Sequence, residues 1–182
     1  MSLQPLQADL FDRVRAVAVA VMVAAGAAMA IGSFLDWVSL SDVPERVEDA
    51  DFGTEEDFDN ERQRTEPVAG TETRYGTTAI IAGVVLVAAA LMLLIRRRGK
   101  WAWLGFIASM VAGGLVISAY RAIADNSSPL YRTLDLVGTA RPAFGLTLVA
   151  AGAIIGLLAS IAGYIATPYN LEAHEEAPSS RP

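Results

Sequence analysis

The 182-residue chain contains no cysteine and a single histidine, and only 19% of its residues are charged. Without cysteine there is no disulfide framework, no thiolate zinc site, no iron–sulfur cluster and no cysteine nucleophile. One imidazole excludes any mechanism that needs two. Positive charge is also scarce: 14 Lys and Arg stand against 20 Asp and Glu, a formal net charge of −6. A nucleic-acid binder presents a basic surface, so that class of partner is excluded.

What is abundant is apolar. Hydrophobic residues make up 53% of the chain, more than a soluble globular domain carries. Four stretches, 16–35, 77–95, 101–120 and 142–166, hold no charged residue at all. Each is about 19 to 25 residues long, and at about 1.5 Å per residue each covers the roughly 30 Å hydrocarbon core of a bilayer. Backbone polar groups cannot stay unpaired in lipid, so these spans should be helical. The alternating segments of a β-barrel are missing. A soluble protein with buried helices is the competing reading, but a soluble helix keeps one wet face and these stretches have none. The predicted fold is therefore an all-α membrane protein, a four-transmembrane-helix bundle with a long acidic outer loop, 36–76, between helices one and two.

Orientation follows from the link between helices two and three, Arg96-Arg97-Arg98-Gly99-Lys100. Such a density of cations in a short turn marks the cytoplasmic side. Arg13 and Arg15 flank helix one on that same side. Segment 1–15 is then a cytoplasmic N-terminal segment, 96–100 a cytoplasmic turn, 121–141 a second extracytoplasmic loop and 167–182 a cytoplasmic tail. The expected location is the cell membrane, multi-pass, with both termini cytoplasmic. Ala28-Met29-Ala30 has the look of a signal cleavage site, but the apolar run continues through Leu35, too long for a signal h-region, so helix one should be retained. Trp37, Trp101, Trp103, Tyr120, Tyr164 and Tyr169 fall near helix ends and are expected to anchor at the headgroups.

Lipid supplies no hydrophobic drive between helices, so small residues that let backbones approach carry much of the packing. Helix one has Ala20, Ala24, Ala28 and Gly32 at four-residue spacing; helix three has Gly105, Ser109 and Gly113; helix four has Gly152, Gly156 and Ser160. These are the candidate packing residues, within one bundle or, alternatively, across a homodimer seam. The hydroxyls Ser33, Ser109, Ser118, Thr147 and Ser160 can bond to their own helix backbone. No ionisable group lies at membrane depth, which weakens a proton relay or an ion-coupled transporter.

The outer loop 36–76 holds 13 acids against four arginines, a net charge of −9. Its central part has too few apolar residues to offset the entropy of ordering. It is expected to be mostly disordered, with ordered ends near Trp37–Leu40 and Tyr75. Its carboxylates resemble the ligands of hard cations, but no EF-hand spacing is present and a solvated spacer is the expectation. In 121–141, Ser128 and Pro129 could open a short interfacial helix, and Asn126-Ser127-Ser128 reads as a glycosylation sequon. Asp36, Arg74, Arg121 and Arg141 form a charge collar at the outer helix ends. The arginines either snorkel to lipid phosphates or receive the acidic loop folded back on them. Leu3, Leu6, Leu10 and Phe11 suggest an N-terminal segment lying on the inner surface. His174, alone among glutamates, is too isolated to be a metal ligand.

Gly32-Ser33-Phe34-Leu35-Asp36-Trp37-Val38, the arginine-rich turn and the glycine-spaced fourth helix together resemble a group of small, uncharacterised bacterial four-helix integral membrane proteins. Members of that group often carry a G-S-F-L-x-W-like segment at this place, with a shorter linker after it. The resemblance implies a membrane location and no particular activity. Preference for Arg and Ala over Lys fits a GC-rich bacterial genome. The outer tryptophan is also similar to that of claudins, but the missing cysteines and missing W-x-x-W pattern exclude them.

The expected function is that of a non-enzymatic protein of the bacterial envelope, structural or accessory, presenting its acidic outer loop. The partners implied are membrane lipids and a protein partner or second copy, with no cofactor, no metal and no nucleic acid. The alternative is a small transporter or an accessory subunit of a transport complex. No catalytic residue is assigned, because no pair of carboxylates has a spacing suited to acid–base work.

Overall fold

The apolar stretches form four helices, α1 (Gln4–Phe34), α2 (Arg74–Arg96), α3 (Gly99–Ala124) and α4 (Phe144–Ile165). They are seen in a computed structural model that describes residues 4–41, 67–124 and 139–167. Each helix contains a segment long and apolar enough to cross a membrane. Local chemistry fixes several ends. Thr73 caps α2: its Oγ1 accepts from the Gly76 N–H at 3.1 Å and donates to the Gly70 carbonyl at 2.7 Å. This satisfies one of the free donors of the first turn. At the other end Arg97 takes a left-handed conformation with φ 50°, and its N–H closes on the Leu93 carbonyl at 3.1 Å. A non-glycine residue there costs about 1 kcal/mol, and the chain reverses within two residues.

Each helix packs on its neighbours in the chain, and α4 closes back on α1. The start of α1, the turn at Arg97-Arg98 and the end of α4 therefore share one end of the bundle, here the turn end. Small residues dominate the interior: Ala18, Ala25, Ala79, Ala89, Ala102, Ala112 and Ala153 are buried, with Met22, Met29, Leu86, Leu93 and Leu146 filling the gaps between them. Large apolar residues point outward, among them Val17, Ile81, Ile107, Ile154 and Ile165. A soluble protein distributes them the other way. Small inside and large outside is what close backbone packing in lipid requires, and it is the make-up of a multi-pass membrane protein.

A three-stranded antiparallel sheet crosses the opposite end, an addition to the expected all-α fold. Its strands are β1 (Asp36–Ser41), β2 (Val68–Ala69) and β3 (Thr139–Pro142), in the order β2-β1-β3. A 3-10 turn, Gly70–Glu72, leads from β2 to the α2 cap. Against β3 the register is regular, Val38 opposite Pro142 and Leu40 opposite Ala140. The Ala143 N–H donates to the Trp37 carbonyl at 2.9 Å. That bond sets Pro142 at the intervening position of the ladder, where its missing N–H costs nothing. Against β2 the register slips: Asp36 faces Ala69 and Val38 faces Val68. Trp37 is the extra residue of a bulge.

Several boundaries differ from those read in the sequence. Residues 4–15 continue α1 as helix rather than forming a separate surface segment. Arg121 lies inside α3 rather than in a loop, and Pro142 belongs to β3 rather than to the fourth helix. The central part of the acidic loop, the proposed Ser128 helix and sequon, Tyr169 and His174 lie outside the described residues.

Candidate functional site

The described feature with the most specific chemistry is the cap at the sheet end, and it is built around Trp37. Strict alternation along β1 would send Trp37 and Val38 to opposite faces. Both are nevertheless buried, each at 1% exposure. The bulge between Asp36 and Val38 accounts for this, because an inserted residue re-aims its side chain. The indole turns back onto the end of α1, where Nε1–H donates to the Gly32 carbonyl at 2.9 Å. The same carbonyl accepts the Leu35 N–H at 3.3 Å. Trp37 is therefore not an interface anchor, as its place beyond helix one suggested. It closes the bundle.

Glycines occupy the tight points of the cap, where nothing larger fits. A Cβ on Gly70 would overlap the Trp37 ring, and one on Gly76 would overlap the Gly70 backbone. Gly145 begins α4 directly against the end of α1: its Cβ would lie 2.6 Å from the Gly32 carbonyl oxygen and 2.7 Å from that of Asp36. The Gly70 N–H donates to the Leu35 carbonyl at 3.0 Å. Trp37 thus touches or bonds the structures that begin α2, end α1 and lead into α4.

Asp36, Arg74, Arg121 and Arg141 are all exposed at this end. Among the described residues no ion pair joins any of them, and the acidic loop expected to fold back on them lies outside those residues.

The candidate packing residues divide. Gly105, Ser109, Gly152, Gly156 and Ser160 are buried, Gly105 and Gly156 against the facing hydroxyls of Ser160 and Ser109 and Gly152 against Met29. Gly32 is buried against Gly145 and Val149. Ala20 and Ala24 are instead exposed, and Ala28 is half-buried. Each four-residue step overshoots a full turn by about 40°, so a stripe running from Ala20 to Gly32 rotates by about 120° and reaches the interface only at its Gly32 end. Gly113 faces open space, with no atom within 4 Å of where its Cβ would be. Residues the spacing missed do pack: a Cβ on Gly26 would lie 2.6 Å from the Gly83 carbonyl, and one on Gly83 would lie 2.7 Å from that of Gly26. Here the backbones of α1 and α2 meet with no room for a side chain between them.

Buried hydroxyls bond to their own helices, Ser33 to Met29 at 2.9 Å and Ser160 to Gly156 at 2.7 Å. Ser109 is the exception, its Oγ buried without a partner. At the turn end Arg15 is 6% exposed and pairs with Asp12, while Trp103 stacks edge-on with Phe106 and Tyr164. Among the described residues no cluster of three acidic or histidine side chains assembles.

No family model, curated protein or solved structure matches the chain.

Proposed function

We propose that the chain is a bacterial cell-membrane protein whose bundle is a rigid mount for its acidic segment, a structural or accessory role rather than catalysis. The observation that carries this reading is the pairing of β1 with β2, the two strands from which segment 42–66 departs and to which it returns. That segment holds 11 acids and three arginines, a net charge of −8. Anchoring both ends of so charged a stretch on one small sheet fixes where it is displayed and lowers the entropy lost when a partner engages it. The cationic turn then faces the cytoplasm, both termini lie there, and the acidic segment lies outside. A protein, lipid or cell-wall component with cationic groups is the matching partner class.

A transporter is less well supported. Between Arg15 and the cap, the buried polar side chains of the described helices are the hydroxyls of Ser33, Ser109 and Ser160. Substrate paths through membranes usually place ionisable groups at that depth.

Since the chain has no cysteine, single-cysteine labelling is free of background. Thr54→Cys should react with an impermeant maleimide in intact cells, and Ser180→Cys only after permeabilisation. The function is tested by replacing 42–66 with a neutral Gly/Ser segment of equal length. The bundle should melt unchanged, while carbodiimide crosslinks formed in native membranes disappear. Unchanged crosslinks, or substrate flux in proteoliposomes, would refute the mount.

A further inference from the structure

Near the turn end a groove of about 450 Å³ runs between α1 and α4. Its lining is apolar, with Val14, Val17, Leu158 and Ile155 as walls and Ala18 and Ala162 toward the floor. Arg13 lines one end. From Arg13 to Val21 the groove extends about 12 Å along the helix axis, at the rise of an α-helix. Its walls are open to the outside of the bundle, Val17 at 63% and Leu158 at 61% exposure.

Two neighbouring arginines differ in a way that matters. Arg15 is buried and neutralised by Asp12. Arg13 is exposed and, among the described residues, forms no ion pair, although Asp9 lies one turn away. The surroundings are cationic as well: among the described residues, Arg13, Arg15, Arg96, Arg97, Arg98 and Lys100 stand at this end against Asp9 and Asp12. A guanidinium at the mouth of an apolar trench matches a ligand with an anionic head and a hydrocarbon tail.

We propose that this groove is a binding site for an anionic phospholipid, with one acyl chain along α1 and α4 and the phosphate on Arg13. The site depends on the membrane reading and not on the role of the acidic segment. A groove this long and this apolar takes a chain rather than a headgroup, and the cationic end selects negative over zwitterionic lipid.

The test uses the full chain in detergent, read by native mass spectrometry and thermal unfolding. Phosphatidylglycerol and phosphatidylcholine with matched acyl chains are added in parallel, with inorganic phosphate as a third arm. Wild type should retain phosphatidylglycerol about five-fold over phosphatidylcholine, the preference expected from one cation at a membrane surface. Arg13→Gln, a surface change that leaves the core untouched, should bring the ratio to about one at that same scale. Ala162→Phe should fill the groove and reduce retention of both lipids. Equal retention by wild type, an unaltered ratio in Arg13→Gln, or equal stabilisation by inorganic phosphate would each overturn the site. Conversion of a dimer to a monomer by Ala162→Phe without loss of lipid would assign the groove to a second copy and overturn it as well. If Ala162→Phe does not fold, the Arg13→Gln ratio and the phosphate arm still decide.

Discussion

The indole N–H of Trp37 donates to the carbonyl of Gly32, five residues back and at the last turn of α1. The bond ties the first strand of the cap to the helix it has just left, and the ring fills the space that Gly70 leaves open. Trp37→Phe keeps most of the ring and removes the donor. The Gly32 carbonyl retains Leu35, so it is not orphaned, and the loss should be about 1 kcal/mol. Trp37→Ala also empties the cavity and should cost about 3 to 5 kcal/mol. Reversible unfolding in mixed micelles measures both. Equal losses for the two variants would mean that the hydrogen bond, and not the packing of the ring, carries the cap.

Glycine substitutions should separate contact from composition. Gly26→Ala places a methyl against the Gly83 carbonyl at a distance no real Cβ tolerates, with helix backbone on the receiving side. The helices must part, at a cost of about 1 to 3 kcal/mol. Gly113→Ala adds the same methyl into open space, where better helix propensity should stabilise by up to about 1 kcal/mol. Melting temperatures of the two variants should move in opposite directions. A loss of stability in Gly113→Ala would show that its face is covered by something, a second copy included.

Much of the bundle was legible because lipid imposes a length. Uncharged runs at 77–95 and 101–120 fall within α2 and α3. The sheet was not legible. β3 has only four residues, and β1 and β3 meet across about a hundred residues of chain, so no local periodicity announces them. Trp37 reads like any aromatic residue beyond a span, since a bulge depends on the partner strand. Within α1 the spacing of four selected Ala20 and Ala24, which face outward. The buried series Ala18, Met22, Ala25, Met29 and Ser33 follows the true helical period and includes two methionines. Gly26 and Gly83 belong to two-member pairs, Gly26 with Ala30 and Ala79 with Gly83, shorter than the stripes the spacing favoured, so the crossing of their helices is what singles them out.

Ser109 carries a buried hydroxyl with no partner, facing Gly156 across the α3–α4 contact. An unsatisfied buried polar group is a net cost. Ser109→Ala keeps the small volume that the crossing needs and should be neutral or stabilise by up to about 1 kcal/mol. The same change at Ser160 removes a bond to the Gly156 carbonyl made within one helix. Its effect should be small, since helix carbonyls already have a backbone partner. A large loss in Ser109→Ala, measured by denaturant titration in detergent, would reveal an acceptor for its hydroxyl.

The sheet itself can be tested by a covalent bond, because no native thiol competes. Leu40 and Ala140 face each other in the antiparallel pair, at the position between ladder hydrogen bonds where backbones come closest, with Cα atoms about 4.5 Å apart. That spacing lies within the range a disulfide spans. The double variant Leu40→Cys with Ala140→Cys should therefore oxidise in mild oxidant, and a non-reducing gel should show a faster band. The closed loop has about 100 residues, so the bond should raise stability by about 2 to 4 kcal/mol. Leu40→Cys with Arg141→Cys is out of register by one residue, which turns the second thiol to the other face of the sheet. It should oxidise slowly or not at all. Equal oxidation of the two pairs would mean that β1 and β3 slide past each other and that the cap has no fixed register.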